Sequence, residues 1–246
     1  MLLHSSAMTE LLYLDDHYIR EFDAVVVDVP DSRSVILDRT AFYPRGGGQP
    51  SDHGKLAFAD RVVCDVIESS KSESGVVHSL SSDIGQERKG MKVHCNLDWS
   101  LRYLHMRYHT ALHILSGVAF LSYGARITGG QIYPDRARLD FGLEDLSKER
   151  VTNIEFEINK VVREDREVKT YWLSTDEALK RKDMYRLSAD LLPKGLDKLR
   201  IVDIVGFDAQ FDGGTHVRKT SEVGEIKITK TQNKGKDNKR IEIILK

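Results

Sequence analysis

The chain has 246 residues, 40% of them hydrophobic and 30% charged, with a formal net charge of −1. That is enough apolar chain for one large domain or two small ones, and near-neutrality excludes nucleic-acid binding driven by bulk charge, leaving only a local basic patch. The two cysteines, Cys64 and Cys95, stand outside any C-x-x-C pair, which excludes a disulfide scaffold and a thiolate zinc knuckle and fits a reducing cytosol. No apolar run approaches membrane-spanning length, and Met-Leu-Leu-His-Ser-Ser-Ala has no basic segment leading into an apolar one. A soluble cytoplasmic protein without a membrane partner is expected, starting at Met1 or at Met8.

In chain order, residues 24–29 and 34–38 are β-branched runs separated by Pro30-Asp31-Ser32-Arg33, which reads as strand, turn, strand. Residues 42–52, Phe-Tyr-Pro-Arg-Gly-Gly-Gly-Gln-Pro-Ser-Asp, form a loop. Residues 55–59, 61–68, 75–80 and 92–98 supply four more strands, with no helix between Val25 and Asp98. The first part, residues 1–98, is therefore expected to be a small all-β barrel or sandwich.

The pattern changes at Asp98-Trp99. Leu101, Leu104, Tyr108, Leu112, Leu115 and Ala119 recur at helical spacing, with Asp98 or Ser100 as N-cap and Gly124 as stop. Strands follow at 127–133 and 137–141. A helix from Ser147 to about Asp165 has Leu146, Val151, Ile154, Ile158 and Val161 on one face. Residues 168–173 form a strand and 175–180 a short helix, with Asp176 and Glu177 at its positive end. A strand at 199–205 and a hairpin of 224–231 with 240–245 complete the chain. The fold class is α+β, with residues 99–246 as a second, mixed domain.

His109 and His113 lie four apart on the first helix, on adjacent turns of one face. His216 follows much later, in Asp212-Gly213-Gly214-Thr215-His216. Two such histidines and a distant third are a common zinc arrangement that leaves one position open. Two competing readings stay open from these residues alone: satisfied or surface histidines for the helical pair, and an exposed turn histidine for the loop. Thr110 stands where a zincin carries its glutamate, so a peptidase would lack its base. The double glycine permits a tight turn through which Asp212 and His216 could converge.

Arg-Tyr-His-Thr-Ala-Leu-His-Ile-Leu, followed distantly by Gly-Gly-Thr-His-Val, closely resembles the editing domain of alanyl-tRNA synthetases and their free-standing relatives, the AlaX proteins. A similar H-x-x-x-H pair occurs in the editing domain of threonyl-tRNA synthetases. The glycine-rich stretch 46–52, Asp98-Trp99 and Pro134-Asp135-Arg136-Ala137-Arg138-Leu139-Asp140-Phe141 also match, in family order, from about residue 11 to 246. The absence of an aminoacylation domain and of a long C-terminal domain points to the medium-length AlaX type. One position departs from the family: Asp212 stands where a cysteine usually ligates zinc.

The resemblance implies an N-terminal barrel-like domain followed by an editing domain of the threonyl/alanyl type. It further implies hydrolysis of serine, and of glycine, wrongly esterified to alanine tRNA. One zinc would be held by His109, His113 and His216, with water or Asp212 as the fourth ligand. Without thiolate, other divalent metals become easier to accept. The catalytic group is expected to be metal-bound water, with no side-chain base assigned. Thr128, with Gln131 as runner-up, is the candidate to read the serine hydroxyl. Gly46, Gly47, Gly48, Gln49 and Asp52 are expected to contact the ester or the terminal adenosine. Arg102, Arg107, Arg136, Arg138 and Arg218 are candidates for tRNA phosphates, with Arg126 and Lys219 nearby. Lys227, Lys230, Lys234, Lys236, Lys239 and Arg240 read better as a solvated hairpin edge. The rival readings are a tRNA-binding module with a structural metal, or a hydrolase acting on a different mischarged tRNA.

Overall fold

The structure, a computed structural model, describes residues 9–181, 197–235 and 238–246; Lys236 and the alternative starts Met1 and Met8 lie outside them. The chain divides into two compact units, and the break falls between Leu104 and His105 rather than at residue 98.

The first unit is built on six strands: β2 (Glu21–Asp31), β3 (Ser34–Leu37), β5 (Gly54–Phe58), β6 (Val63–Ser72), β7 (Gly75–Leu80) and β8 (Lys92–Leu97). They close into a barrel in the order β2-β3-β7-β6-β5-β8. Alternation explains the closure: in β8, Val93, Cys95 and Leu97 point inward while Lys92 and His94 face out. Val26, Val35, Leu37, Phe42, Leu56, Cys64, Val66 and Leu80 complete this core. Both cysteines are buried and free. Two short strands, β1 (Glu10–Leu11) and β4 (Arg39–Thr40), pair in parallel beside it. Strand β2 runs on through Pro30, which the sequence suggested as its end. The register slips between Asp28 and Asp31, and proline is tolerated at such a bulge.

The helix α1 (Trp99–Tyr123) is capped by Asp98, whose Oδ1 accepts the Leu101 N–H at 3.1 Å. It stops at Gly124, where φ is +65°. In the second unit its residues Met106, Tyr108, Ala111, Leu112, Ile114, Leu115, Val118 and Ala119 are all buried, so the helix is enclosed on most sides.

Two sheets frame this unit. One contains β9 (Ile127–Ile132), β10 (Ala137–Phe141), β14 (Ile226–Gly235) and β15 (Asn238–Leu245), ordered β14-β15-β10-β9. The other is β11 (Val168–Ser174), β12 (Lys198–Ile204) and β13 (Asp208–Phe211), all antiparallel. Helix α2 (Lys148–Arg163) takes Ser147 as its N-cap and buries Ile154, Ile158, Val161 and Val162. Its Asn159 exchanges two hydrogen bonds with the Ile226 backbone, at 2.8 and 2.9 Å, anchoring the edge strand β14. Helix α3 (Thr175–Lys180) begins with a Ser174–Glu177 capping box. Among the described residues, no helix is long and apolar enough to cross a membrane.

Candidate metal centre

His109 and His113 project from α1 toward the loop that leaves β13. That loop carries Asp212 and His216, and one ligand atom from each of the four residues lies within 4.8 Å of the others. Asp212 Oδ1 stands 3.5 Å from His109 Nε2 and 4.0 Å from His113 Nε2, and Oδ2 stands 3.1 Å from His216 Nε2. The helical spacing sets one half of the cluster. The other half is set by the ladder: Asp212 N–H donates to the Arg200 carbonyl at 3.2 Å, so Asp212 continues the β12–β13 register by one step.

Three neighbours fix the loop. Arg200, on β12, is buried and donates Nη1 to the carbonyls of Asp212 and Gly214 at 3.1 and 3.0 Å. Thr110 Oγ1 accepts the Val217 N–H at 3.2 Å and lies 3.1 Å from His216 Nδ1, which leaves Nε2 facing the cluster. Asp212 Oδ2 also accepts the Gly214 N–H, at 2.5 Å. The two glycines differ in role. A Cβ on Gly213 would meet open space, whereas one on Gly214 would fall 2.2 Å from His109 Cε1. Gly214 is required by close approach, not by a left-handed backbone.

Burial pushes His109 and His216 below the ordinary imidazole range and His113 down to about 4, with the Arg200 charge acting the same way on His109 and His113. Burial opposes ionisation of Asp212, but the surrounding histidines override it and hold the carboxyl well below its usual range. Neutral imidazoles and an ionised carboxylate are the forms in which these groups bind a metal. Ligands about 2.0–2.1 Å from a tetrahedral centre stand roughly 3.3–3.4 Å from one another, a value inside the 3.1–4.0 Å range between the Asp212 oxygens and the three imidazole nitrogens. The donor set fits a divalent ion.

The other candidate residues fare unevenly. Arg102 is not a phosphate contact: it is fully enclosed in the first unit, paired with Asp52 and donating to the carbonyls of His17 and Ala41. Asp52 is equally enclosed and also accepts the Tyr43 N–H at 2.6 Å, so it offers no surface for substrate. Gly46 and Gln49 bridge each other's backbones, with Gly47 and Gly48 between them at φ +58° and +83°. The loop is held, and the amides of Gly46 and Gln49 are already engaged. The Gln49 side chain is buried as well.

On β9, the Thr128 hydroxyl donates to Asn238 at 3.0 Å and Gln131 to the Ile132 carbonyl at 3.1 Å. Neither of these hydrogen bonds goes to the four-residue cluster. Arg107 donates to the Val223 and Lys246 carbonyls, and Arg138 pairs with Asp140 at 2.7 Å. Arg218 is exposed, whereas Arg136 is half-buried, over the Tyr133 ring at 4.5 Å and paired with Asp135 at 2.9 Å. On the hairpin, Lys239 is buried, Arg240 pairs with Asp140 and Lys227 with Glu155, while Lys230 and Lys234 stay exposed along edge strand β14. Arg200 had no motif to announce it. Its one signal was an arginine inside the apolar alternation of 198–204.

Comparison with known proteins identifies the family. Residues 199–242 match the threonyl and alanyl tRNA synthetase second additional domain, and residues 9–101 match the class II (A) tRNA synthetases. The chain is 40% identical over 239 residues to the alanyl-tRNA editing protein AlaX-M of Methanosarcina acetivorans, spanning 95% of this chain and 98% of that one. It is 42% identical over 235 residues to AlaX-M of Saccharolobus solfataricus, with the same 95% and 98% coverage. It is also 37% identical over 227 residues to the alanine–tRNA ligase of Pyrococcus abyssi, 91% of this chain but 24% of that enzyme. A barrel followed by a mixed unit with an H-x-x-x-H helix, matched end to end at this identity, makes the chain a member of the AlaX-M family of alanyl-tRNA editing proteins.

Proposed function

We propose that this protein is a trans-editing hydrolase of the cytoplasm. It cleaves the ester joining serine, and also glycine, to the 3′ end of alanine tRNA, and it uses a zinc ion held by His109, His113, His216 and Asp212. The observation that carries this reading is the convergence of three imidazoles and one carboxylate in a chain whose relatives are named for alanyl-tRNA editing over nearly their full length.

The task has a physical basis. A site shaped for alanine rejects serine weakly, because a hydroxyl added to a methyl clashes little, so fidelity requires a second, hydrolytic sieve. When bound, a divalent ion supplies Lewis-acid polarisation to an ester that needs modest activation. The rest falls to the chain. His109, His113 and His216 present neutral nitrogens, and Asp212 contributes the one negative charge. Thr110 holds the His216 ring by Nδ1, and Arg200 holds the loop. Exposed Arg218 offers a contact to acceptor-end phosphates, and half-buried Arg136 offers one in exchange for its pairing with Asp135.

The test is a panel of alanine tRNA charged with alanine, serine or glycine, together with threonine tRNA charged with serine. Serine and glycine should leave alanine tRNA while alanine stays. His109→Ala and His216→Ala should each lose bound metal and slow serine release on the order of a hundredfold or more. Binding of tRNA without turnover would replace the hydrolase with a binding module, and release from threonine tRNA alone would replace the substrate.

A further inference from the structure

Tryptophan usually buries its large ring, yet Trp172 on β11 is 47% exposed. Its placement follows from the ladder. Trp172 is the Cα partner of Arg200, and Asp212 N–H bonds the Arg200 carbonyl on the far side. Trp172, Arg200 and Asp212 therefore form one row across the sheet, and cross-strand partners share a face. The opposite face is already filled by Leu199, Ile201, Phe211 and Ala178, with Tyr171 and Leu173 packed on them. The indole thus stands on the same face as the metal ligand Asp212, two strand spacings away, about 10 Å. β11 is an edge strand, and the half-exposed indole stands at that border of the face. Among the described residues, no ring or hydrogen-bond partner engages the indole.

We propose that Trp172 is the platform on which the adenine of the tRNA's terminal nucleotide stacks, with its 3′-ester reaching over Arg200 to the metal centre. This rests on the deacylase reading above. The span from Trp172 to Asp212 is one that a ribose and its base cover. The adenine offers a flat π-face of the kind indoles hold in single-stranded nucleic-acid sites. Trp172 would position the substrate without touching the reacting atoms.

The experiment has two arms. In the first, adenosine 5′-monophosphate is titrated into the wild-type protein and into Trp172→Phe while indole fluorescence is followed. Trp99, the other tryptophan in the chain, is common to both. Saturable quenching in the wild type and its loss in Trp172→Phe are expected. In the second arm, Trp172→Ala should raise KM for seryl-alanine tRNA on the order of tenfold, leaving kcat and bound metal unchanged, while Trp172→Phe recovers most of the KM. Equal quenching in both proteins, or an unchanged KM in Trp172→Ala, would overturn the assignment. Fluorescence that responds to protein concentration and not to the nucleotide would also overturn it, and would mark the face as a contact between copies. Should the wild type release no amino acid, the deacylase reading falls, while the nucleotide titration still decides the role of Trp172.

Discussion

At the scale of single residues, the proposed metal centre depends on groups that are not among its four candidate ligands. Gly214 is the sharpest case, because its missing Cβ makes room for the His109 ring. An alanine there must push either His109 or the 212–216 loop out of place. Gly214→Ala should weaken metal binding by roughly 10–100-fold, as supporting changes around metal sites do, and cost about 1–3 kcal/mol of stability from the local clash. Competition against a chromophoric chelator and thermal unfolding read the two effects. Unchanged affinity would mean that the loop yields without disturbing the ligands. The same substitution at Gly213, which meets open space, is the natural control.

At the scale of elements, the arginine of the histidine helix changes its meaning. Arg102 was expected to meet phosphate; enclosed with Asp52, it instead ties the start of α1 to the loop after β4. Removing one partner of a buried pair strands the other, which costs roughly 3–5 kcal/mol. Arg102→Met should therefore lower stability by about that amount in chemical denaturation. A phosphate contact would instead leave stability alone and flatten the salt dependence of tRNA binding.

Much of the fold was legible because its signals are local. Short β-branched runs bounded by turn residues marked all six barrel strands, the 3.6-residue period marked α1 and α2, and Asp98, Ser147 and Gly124 marked their ends. What stayed hidden depends on partners far along the chain. Strand β13, only Asp208–Phe211, is too short to show a pattern and exists because β12 pairs with it. The barrel's strand order and the pairing of Arg102 with Asp52 are likewise set by closure, not by any local run. In the site, the histidines were readable from spacing and from the family motif. Arg200 and Trp172 were not, since only the register of β11, β12 and β13 puts them in line with Asp212.

At the scale of the whole molecule, the barrel unit and the unit with the histidine cluster are both matched, in order, across nearly the full length of the AlaX-M relatives. The barrel carries no free thiol at its surface, since Cys64 and Cys95 are buried, and the four residues proposed to hold the metal offer nitrogen and oxygen donors only. Metal exchange at that centre can therefore be read without interference from surface cysteines. The most direct measurement is serine release from seryl-alanine tRNA by the full chain, before chelation, after removal of the metal, and after titrating zinc back to one ion per chain. Release should fall away with the metal and return in proportion to the zinc restored. Full release by metal-free protein would contradict a metal-dependent hydrolase.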